Sequence, residues 1–276
     1  FPTRRSSDLI AIRRLSDIQK IEELLPIVKN VGVIGGGVLG LEAAWEMKRA
    51  QCRVTVLEAG IQLMGRQLDD AASDMLKMIS EANDIQIHTG ARIVSIEGGD
   101  HVTGVKLKDG EVIPAELVIV SAGVRANTAI AKEAGLEGDR AVVVNSRMET
   151  SVKDIYACGD CAQYQGMNYA IWPQALEQGK TAGANAAGDS AEYEQVPAAL
   201  TFHGMNTALF ASGDNGKRAG VSYKTVEMKD PSKKQYEKLY FFNNRLCGVI
   251  LIGDLSRMAE LSQALEKKAS FQEVVK

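Results

Sequence analysis

The 276-residue chain is predicted to have an α/β fold built on a doubly wound parallel sheet. The first indication is that strand-like and helix-like segments alternate from about residue 27 to residue 122. The second is the composition of the strands: Arg53–Leu57 is mostly apolar and β-branched, as a strand buried on both faces should be. After Pro197 the pattern changes to β segments followed by one helix, which indicates a small α+β region.

A glycine-rich turn follows the first strand of this alternation. The stretch Val-Gly-Val-Ile-Gly-Gly-Gly-Val-Leu-Gly carries Gly35-x-Gly37-x-x-Gly40 and then enters a helix. Gly35 permits the tight turn, Gly37 lets the backbone approach a pyrophosphate, and Gly40 lets the helix pack close to the sheet. Free N–H groups at the helix start, Val38-Leu39, then face the phosphates. The pattern predicts a Rossmann-like dinucleotide site; the alternative is an ordinary βα turn.

Glu58 closes the next strand, at the carboxyl end of the predicted sheet. A carboxylate there accepts hydrogen bonds from the adenosine ribose diol, which favours NAD, and it repels the 2′-phosphate of NADP. At roughly 5 Å and an effective dielectric near 20, each charge pair costs about 3 kcal/mol. That cost corresponds to about a hundredfold in affinity. We therefore expect NADH to be preferred over NADPH, although Arg66 lies close enough in sequence to leave the NADPH alternative open.

The other elements are predicted from periodicity and turn signals. In the first half these are a short strand and an amphipathic helix over 10–25 with Ser16 or Asp17 as N-cap, a helix over 69–81, and strands at 85–87, 91–97, 102–107, 111–113 and 117–120. In the second half they are a strand at 142–144, a helix over 173–187, strands at 199–211, 221–227, 236–242 and 245–252, and a terminal helix over 255–268.

Composition and charge exclude several classes of function. With 45% hydrophobic and 24% charged residues, the chain has the make-up of a soluble globular protein. A net charge of −3 gives no sign of a nucleic-acid surface. No apolar run is long enough to span a bilayer, and no signal peptide is visible, so no membrane association is expected. Four cysteines in a chain of this length do not form a disulfide framework, which indicates a reduced, cytoplasmic protein.

Three motifs in order resemble a known family. The glycine motif, the Ala122-Gly123 turn and the run from Thr150 to Asp160 occur in this order in the FAD- and NAD(P)H-dependent pyridine nucleotide–disulfide oxidoreductases. Within that family the chain looks most like the NADH:rubredoxin reductase and assimilatory nitrite reductase flavoprotein branch. The resemblance runs from about Ile10 to the C-terminus. Its most specific element is the run Thr-Ser-x-x-x-Ile-Tyr-Ala-x-Gly-Asp.

The resemblance implies roles for residues outside the glycine motif. Asp160 would bind the FAD ribitol hydroxyl, and the segment that ends in Ile171 and Trp172 would lie against the isoalloxazine. A helix N-terminus at that point would stabilise negative charge on the reduced flavin. Glu42 matches a position where the family places an acid near the nicotinamide, and Gly123 matches a backbone turn that lies along the NAD. No catalytic acid or base and no metal ligand is predicted.

The resemblance also implies a domain organisation. Family members carry two dinucleotide motifs, and this chain carries only the second, so the sequence is expected to be N-terminally truncated. Its first residues resemble the translation of a sequencing adapter rather than a native segment; the alternative is a short native tail. The expected parts are a non-native tail (1–9), a returning segment of the FAD domain (10–26), an NAD domain with a β-meander (27–143), the second part of the FAD domain (144–195) and an α+β C-terminal domain (196–276).

The function implied is an FAD-dependent NADH oxidoreductase. Electrons would pass from NADH through the flavin to a small electron-transfer protein such as rubredoxin, to a fused redox domain, or to dioxygen. The alternative is a non-catalytic NAD-binding fragment, whose uncovered sheet edges would favour association, with a homodimer as one outcome.

Two further motifs each allow two interpretations. Cys158 and Cys161 flank Gly-Asp as a CxxC, which indicates either a redox dithiol or small packed side chains. The lysine cluster is either a solvated loop or a docking surface for an acidic redox partner; its members are Lys229, Lys233, Lys234 and Lys238.

Overall fold

The computed structural model describes residues 8–195 and 197–275. Most of the predicted non-native tail therefore lies outside the described residues. The chain divides into two compact units, residues 1–123 together with 199–276, and residues 124–198. The domain boundaries expected from the family resemblance stay a prediction.

A five-stranded parallel sheet forms the centre of the first unit. Its elements are β1 (Leu9–Ile10), α1 (Leu15–Leu24), β2 (Asn30–Ile34), α2 (Val38–Arg49), β3 (Arg53–Glu58), α3 (Asp70–Glu81), β4 (Ile85–Thr89), the meander β5 (Ile93–Gly98), β6 (Val102–Leu107) and β7 (Val112–Pro114), and β8 (Leu117–Val120). The strand order is β1-β8-β2-β3-β4, with all neighbours parallel. This confirms the α/β fold class. Because parallel strands end at one edge, the glycine turn after β2 and Glu58 at the end of β3 are neighbours.

The first predicted helix starts earlier than its N-cap signal indicated. Arg14 is the N-cap of α1, and Asp17 is the third helical residue instead of the cap. The Asp17 carboxylate accepts hydrogen bonds from the backbone N–H groups of Arg13 (2.9 Å) and Arg14 (2.7 Å). An acid inside the first turn can thus bond back to the chain before the helix, as in a capping box.

The C-terminal part of the first unit is an antiparallel sheet with two short helices. Its elements are β11 (Ala199–Gly204), β12 (Thr207–Gly213), β13 (Lys224–Asp230), β14 (Gln235–Phe242), β15 (Arg245–Ile252), α6 (Met258–Glu266) and α7 (Phe271–Val274). The order is β11-β12-β15-β14-β13. Leu261 and Leu265 of α6 pack on one face of this sheet, while Phe202 and Ile250 belong to the same buried cluster as the parallel sheet and its helices.

Two predictions for this region were wrong in detail. The strand expected over 199–211 is the hairpin β11–β12, which turns at Met205 and Asn206. Both turn residues have φ of +54°, and Met205 is fully buried, with its carbonyl accepting a hydrogen bond from Asn83 at 3.1 Å. Tertiary contacts therefore stabilise a turn that lacks the usual Asn-Gly signal. The terminal helix expected over 255–268 is α6, which begins only at Met258 and ends at Glu266, and the short helix α7 that follows it was not predicted.

The second unit is smaller. It contains α4 (Ala129–Glu133), β9 (Val142–Val144), β10 (Ala162–Tyr164) and α5 (Trp172–Ala186), and β9 pairs with β10 in parallel. Val144, Met148, Ala162, Ala182 and Tyr193 form its buried core. The short elements α4 and β10 were not predicted.

In the described part of the chain, no helix is both long and apolar enough to cross a membrane. Likewise, no group of three or more His, Cys, Asp and Glu side chains there is suited to hold a metal ion.

Candidate nucleotide-binding sites

The glycine turn has the backbone conformation that its first glycine permits. Gly35 has φ of +116°, in the region that residues with a Cβ rarely adopt. Its N–H donates to the Leu57 carbonyl at 2.9 Å. A Cβ at position 35 would lie 2.3 Å from the Ser121 carbonyl oxygen. Any larger residue would therefore separate β2 from the turn that follows β8.

The other two motif glycines differ in what surrounds them. A Cβ at Gly40 would lie 1.9 Å from the Gly35 carbonyl oxygen, so this glycine allows α2 to approach the strand end. At Gly37, the N-cap of α2, a Cβ would meet nothing within 4 Å. The helix begins there without a side-chain cap, which leaves the first N–H groups, at Val38-Leu39, available to a ligand. The open space at Gly37 fits an approaching pyrophosphate.

A pair of alanine variants separates these two roles. Gly40→Ala is expected to destabilise the protein by about 1–3 kcal/mol, because the added methyl group has no space. Gly37→Ala should change the free energy of unfolding by less than about 0.5 kcal/mol, since its Cβ is unobstructed. It should nevertheless weaken NADH binding at least about tenfold, because the methyl group occupies the approach to the backbone. Denaturant unfolding and NADH titration of both variants measure this, and equal stability losses would contradict it.

Glu58 is held against the glycine turn through both of its carboxylate oxygens. Oε2 accepts the Gly36 N–H at 2.6 Å, and Oε1 accepts the Gly60 N–H at 2.6 Å. A carboxylate has about four acceptor positions, so two remain for the hydroxyl groups of a ribose. Glu58 is partly exposed. The side chain is therefore both oriented and accessible.

The segment after Glu58, residues 60–68, lies directly on the glycine turn. The Met64 N–H donates to the Gly36 carbonyl at 3.0 Å, and a Cβ at position 36 would lie 2.6 Å from the Leu63 side chain. Ile61 is 84% exposed beside this contact. No motif in the sequence marks this segment. The signal that could have revealed it is the apolar set Leu63, Met64 and Leu68 inside a loop.

Glu42 and Gly123 are also in the first unit. Glu42 is half-buried on α2, where burial raises the pKa of its carboxyl, and nearby His203 on β11 partly opposes that shift. Gly123 has φ of +85° with open space at its Cβ position. The proximity of His203 to Glu42 was not predicted, since 161 positions separate them (203 − 42).

Asp160 lies in the second unit on a short 3-10 turn, Gly159–Cys161. Gly159 has φ of +71°, and its N–H donates to the Gln178 side chain of α5 at 2.8 Å. Asn168 donates to the Asp160 backbone carbonyl at 3.0 Å. The Asp160 side chain is exposed, and among the described residues no hydrogen bond to its carboxylate is found. Fixed backbone and an accessible carboxylate fit an acceptor for ligand hydroxyl groups.

Ile171 and Trp172 form the start of α5. Ile171 is the N-cap, Trp172 is the first helical residue, and the indole is 81% exposed. The helix has no side-chain cap at this end. An exposed aromatic ring beside uncapped N–H groups fits a flat ligand that develops negative charge.

The geometry of the CxxC favours the packing interpretation. The Cys161 Sγ lies 3.2 Å from the Cys158 carbonyl oxygen. Burial, with a smaller contribution from Cys161, raises the pKa of the Cys158 thiol. A redox-active dithiol needs a lowered thiol pKa instead.

The four lysines of the cluster are not all solvated. Lys238 has a side chain only 19% exposed, and its Nζ pairs with Glu227 at 2.7 Å and with Asp69 at 3.2 Å. Lys233 pairs with Asp230 at 3.7 Å. Both earlier interpretations are therefore wrong for Lys238, because its charge is used inside the protein.

Comparisons with known proteins agree with this architecture. Residues 6–179 match the family described as pyridine nucleotide-disulphide oxidoreductase, and residues 199–269 match the C-terminal domain of rubredoxin NAD+ reductase. The nitrite reductase [NAD(P)H] of Bacillus subtilis is 30% identical over 100% of this chain and 34% of its own length. The NADH-rubredoxin oxidoreductase of Clostridium acetobutylicum is 28% identical over 98% of this chain and 66% of its own length. The chain thus spans about a third of the first relative and about two thirds of the second.

Solved structures show the same likeness. The ferredoxin reductase for the CYP199A2 system from Rhodopseudomonas palustris has a TM-score of 0.86 at 26% identity, covering 99% of this chain and 68% of that one. The NADH:rubredoxin oxidoreductase from Clostridium acetobutylicum has a TM-score of 0.73 at 26% identity, covering 100% and 68%. Pyridine nucleotide–disulphide oxidoreductases use FAD and NAD(P)H. The resemblance indicated by the motifs is confirmed, and the chain belongs to the pyridine nucleotide–disulphide oxidoreductase family.

Proposed function

We propose that the protein is an NADH-dependent flavoprotein oxidoreductase that delivers electrons to a small iron–sulfur protein. The observation that carries the proposal is the Glu58 carboxylate, held by the Gly36 and Gly60 N–H groups beside the open backbone at Gly37. This arrangement supplies an acceptor for ribose hydroxyl groups next to a helix N-terminus suited to a pyrophosphate.

The choice of NADH over NADPH follows from charge. The Glu58 carboxylate would face the 2′-phosphate of NADPH across a short distance, and each charge pair would cost about 3 kcal/mol at an effective dielectric near 20. Arg66 is exposed, and its backbone carbonyl accepts a hydrogen bond from Asn215 at 3.2 Å. The Glu58 carboxylate, in contrast, is fixed at this edge by hydrogen bonds from two backbone N–H groups.

Residues of the second unit are suited to hold the flavin. When bound, FAD supplies the acceptance of a hydride and the later release of single electrons. Asp160 would accept a hydrogen bond from a ribitol hydroxyl, and the N-terminus of α5 at Trp172 would stabilise negative charge on the ring. Glu42 is proposed to lie near the nicotinamide and Gly123 along the NAD. No side chain is required to act as a general acid or base.

The electron acceptor is proposed from the C-terminal region. Residues 199–269 match the C-terminal domain of rubredoxin NAD+ reductase. The covalent putidaredoxin reductase–putidaredoxin complex, with a TM-score of 0.81 at 25% identity, supports an electron-transfer protein as partner. The likeness to nitrite reductase keeps a fused redox domain as the alternative acceptor.

Flavin content tests the function directly. The purified chain is expected to show the visible absorption bands of FAD, and NADH should bleach them under anaerobic conditions. Asp160→Asn should weaken FAD retention about tenfold, because the ionised acceptor is lost. Asp154→Asn is the matched control, since Asp154 is exposed in the same unit and has φ of +64°, which Asn tolerates. Equal retention by both variants would contradict the role of Asp160.

A second candidate function is that of a non-catalytic NAD-binding fragment. It is favoured by the fact that the glycine turn, Glu58 and residues 60–68 all lie in the first unit. A colourless protein that still binds NADH would establish this alternative.

A further inference from the structure

A loop of the C-terminal region contacts residues 60–68 from the outside. This loop, residues 214–218, is the first part of the connection between β12, which ends at Gly213, and β13, which begins at Lys224. The Asn215 side-chain amide donates to the carbonyls of Arg66 (3.2 Å) and Leu68 (3.3 Å). The Lys217 Nζ donates to the Gln62 side chain (2.5 Å) and to the Gly65 carbonyl (3.4 Å). Two side chains thus bond to four residues of the segment.

Residues 60–68 adopt a conformation that needs such support. Met64 has φ of +49°, and a left-handed conformation costs a residue with a Cβ free energy. Its N–H is bonded to the Gly36 carbonyl, while the Gly36 N–H is bonded to Glu58. Any shift of this segment is therefore transmitted to the Gly36 peptide and to the carboxylate that would bind the ribose.

The 214–218 loop is itself anchored to the antiparallel sheet. The Asp214 N–H donates to the Cys247 carbonyl at 2.7 Å, and the Asp214 carboxylate accepts the Tyr223 hydroxyl at 2.6 Å. A Cβ at Gly248 would lie 1.8 Å from the Asp214 carbonyl oxygen, so β15 and the loop are in close contact. These contacts fix the loop to the antiparallel sheet, so that it can hold residues 60–68 in place.

The Lys217 ammonium group pairs with a carboxylate of the protein. Its Nζ lies 3.5 Å from Asp70, and its side chain is 34% exposed. Gln62 also donates to Asp70, at 2.7 Å. Lys217, Gln62 and Asp70 therefore form one polar cluster that joins the loop, the segment and the start of α3.

We propose that Asn215 and Lys217 are positioning residues for the dinucleotide site. They hold residues 60–68, and thereby Gly36 and Glu58, in the arrangement that receives the adenosine end of NADH. The C-terminal region thus contributes to nucleotide affinity without touching the nucleotide. This inference rests on the proposed function of the Glu58 site.

The test compares NADH affinity among variants of the full chain. Asn215→Ala and Lys217→Met should each raise the Kd for NADH about threefold, and the double variant about tenfold. Lys217→Arg, which keeps the donor and the charge, should restore most of the affinity. Asn206→Ala is the matched control: it removes a hydrogen bond of 2.9 Å to Asn83, between the same C-terminal region and the end of α3. It should leave the Kd unchanged.

Hydrogen exchange gives a readout that needs no ligand. The Met64 amide should exchange about tenfold faster in the double variant than in the wild-type protein, and at an unchanged rate in Asn206→Ala. Wild-type protein that binds no NADH would overturn the proposed function and with it the dinucleotide role. Wild-type binding with an unchanged Kd in the double variant, or an equal loss in Asn206→Ala, would overturn the positioning role alone.

Discussion

Asp69→Ala is expected to lower the free energy of unfolding by about 3–5 kcal/mol, because it removes the central acceptor of a buried polar network. The Asp69 Oδ2 accepts the hydroxyl groups of Tyr236 (2.7 Å) and Tyr240 (2.6 Å) and lies 3.2 Å from the Lys238 Nζ. Its Oδ1 caps α3 by accepting the Ala72 N–H at 2.8 Å. Truncation leaves two buried hydroxyl groups and a largely buried ammonium without this acceptor.

Two further variants show how much of this stability loss comes from the charge of Asp69 and how much from any substitution on this helix. Asp69→Asn keeps a good N-cap but removes the charge, so it should fall between alanine and the wild type in urea unfolding. Asp74→Ala, an exposed position on the same helix, should change stability by less than about 0.5 kcal/mol. If Asp69→Ala cost no more than Asp74→Ala, the buried network would contribute nothing to stability.

The same carboxylate should make stability dependent on pH. Burial raises the pKa of Asp69, but the hydrogen bonds from Tyr240, Ala72, Tyr236 and Lys238 together outweigh burial and lower the pKa below its ordinary value of 3.8. A lowered pKa in the folded state contributes stability that is fully present above pH 3.8 and is lost as the pH falls through the folded-state value. Asp69→Asn should therefore flatten the loss of stability in acid.

Glu58→Gln is expected to abolish most of the proposed preference for NADH over NADPH. Removal of the charge should improve NADPH binding relative to NADH by about a hundredfold, the factor that corresponds to one repulsive pair. The affinity for NADH itself should fall about tenfold, because the amide can accept only one of the two N–H groups at Gly36 and Gly60. Kd values for both nucleotides, measured by titration, check the two parts separately.

Glu116→Gln is the matched control for that experiment. The Glu116 carboxylate also accepts two backbone N–H groups, from Lys29 (2.5 Å) and Asn30 (3.0 Å), and these hydrogen bonds lower its pKa. Glu116 directly precedes β8, and its two partners lie at the start of β2, the end remote from the glycine turn. The control should lose some stability and keep its NADH preference. If both variants lost the preference for NADH, the effect would arise from a change in the sheet and not from the Glu58 charge.

Local elements were predictable because their signals lie within a few residues. The φ of +116° at Gly35 and the close packing at Gly40 follow from a motif that only glycine satisfies. Helix α3 was expected from about residue 69, and Asp69 is indeed its N-cap. Asp69 also accepts the hydroxyl groups of Tyr236 and Tyr240. The sequence does not predict these hydrogen bonds, because the two tyrosines are 167 and 171 positions away.

Turns without a sequence signal could not be predicted either, because the contacts that stabilise them come from distant parts of the chain. Met205 lacks the left-handed propensity of glycine or asparagine, and its conformation is stabilised by contacts with Asn83 and with Ser80 of α3. Lys238 was expected either in a solvated loop or on a docking surface, yet tertiary packing places it between Asp69 and Glu227.

The sequence by itself determined the α/β class, the glycine turn, the acid at the end of β3 and the family, since each depends on residue types at short, regular spacing. Only the tertiary structure decided that residues 60–68 rest on Gly36, and that Asn215 and Lys217 hold them. Those hydrogen bonds join residues 147 to 155 positions apart. Periodicity and propensity carry no information over such separations, because the partners meet only when the antiparallel sheet packs on the parallel one.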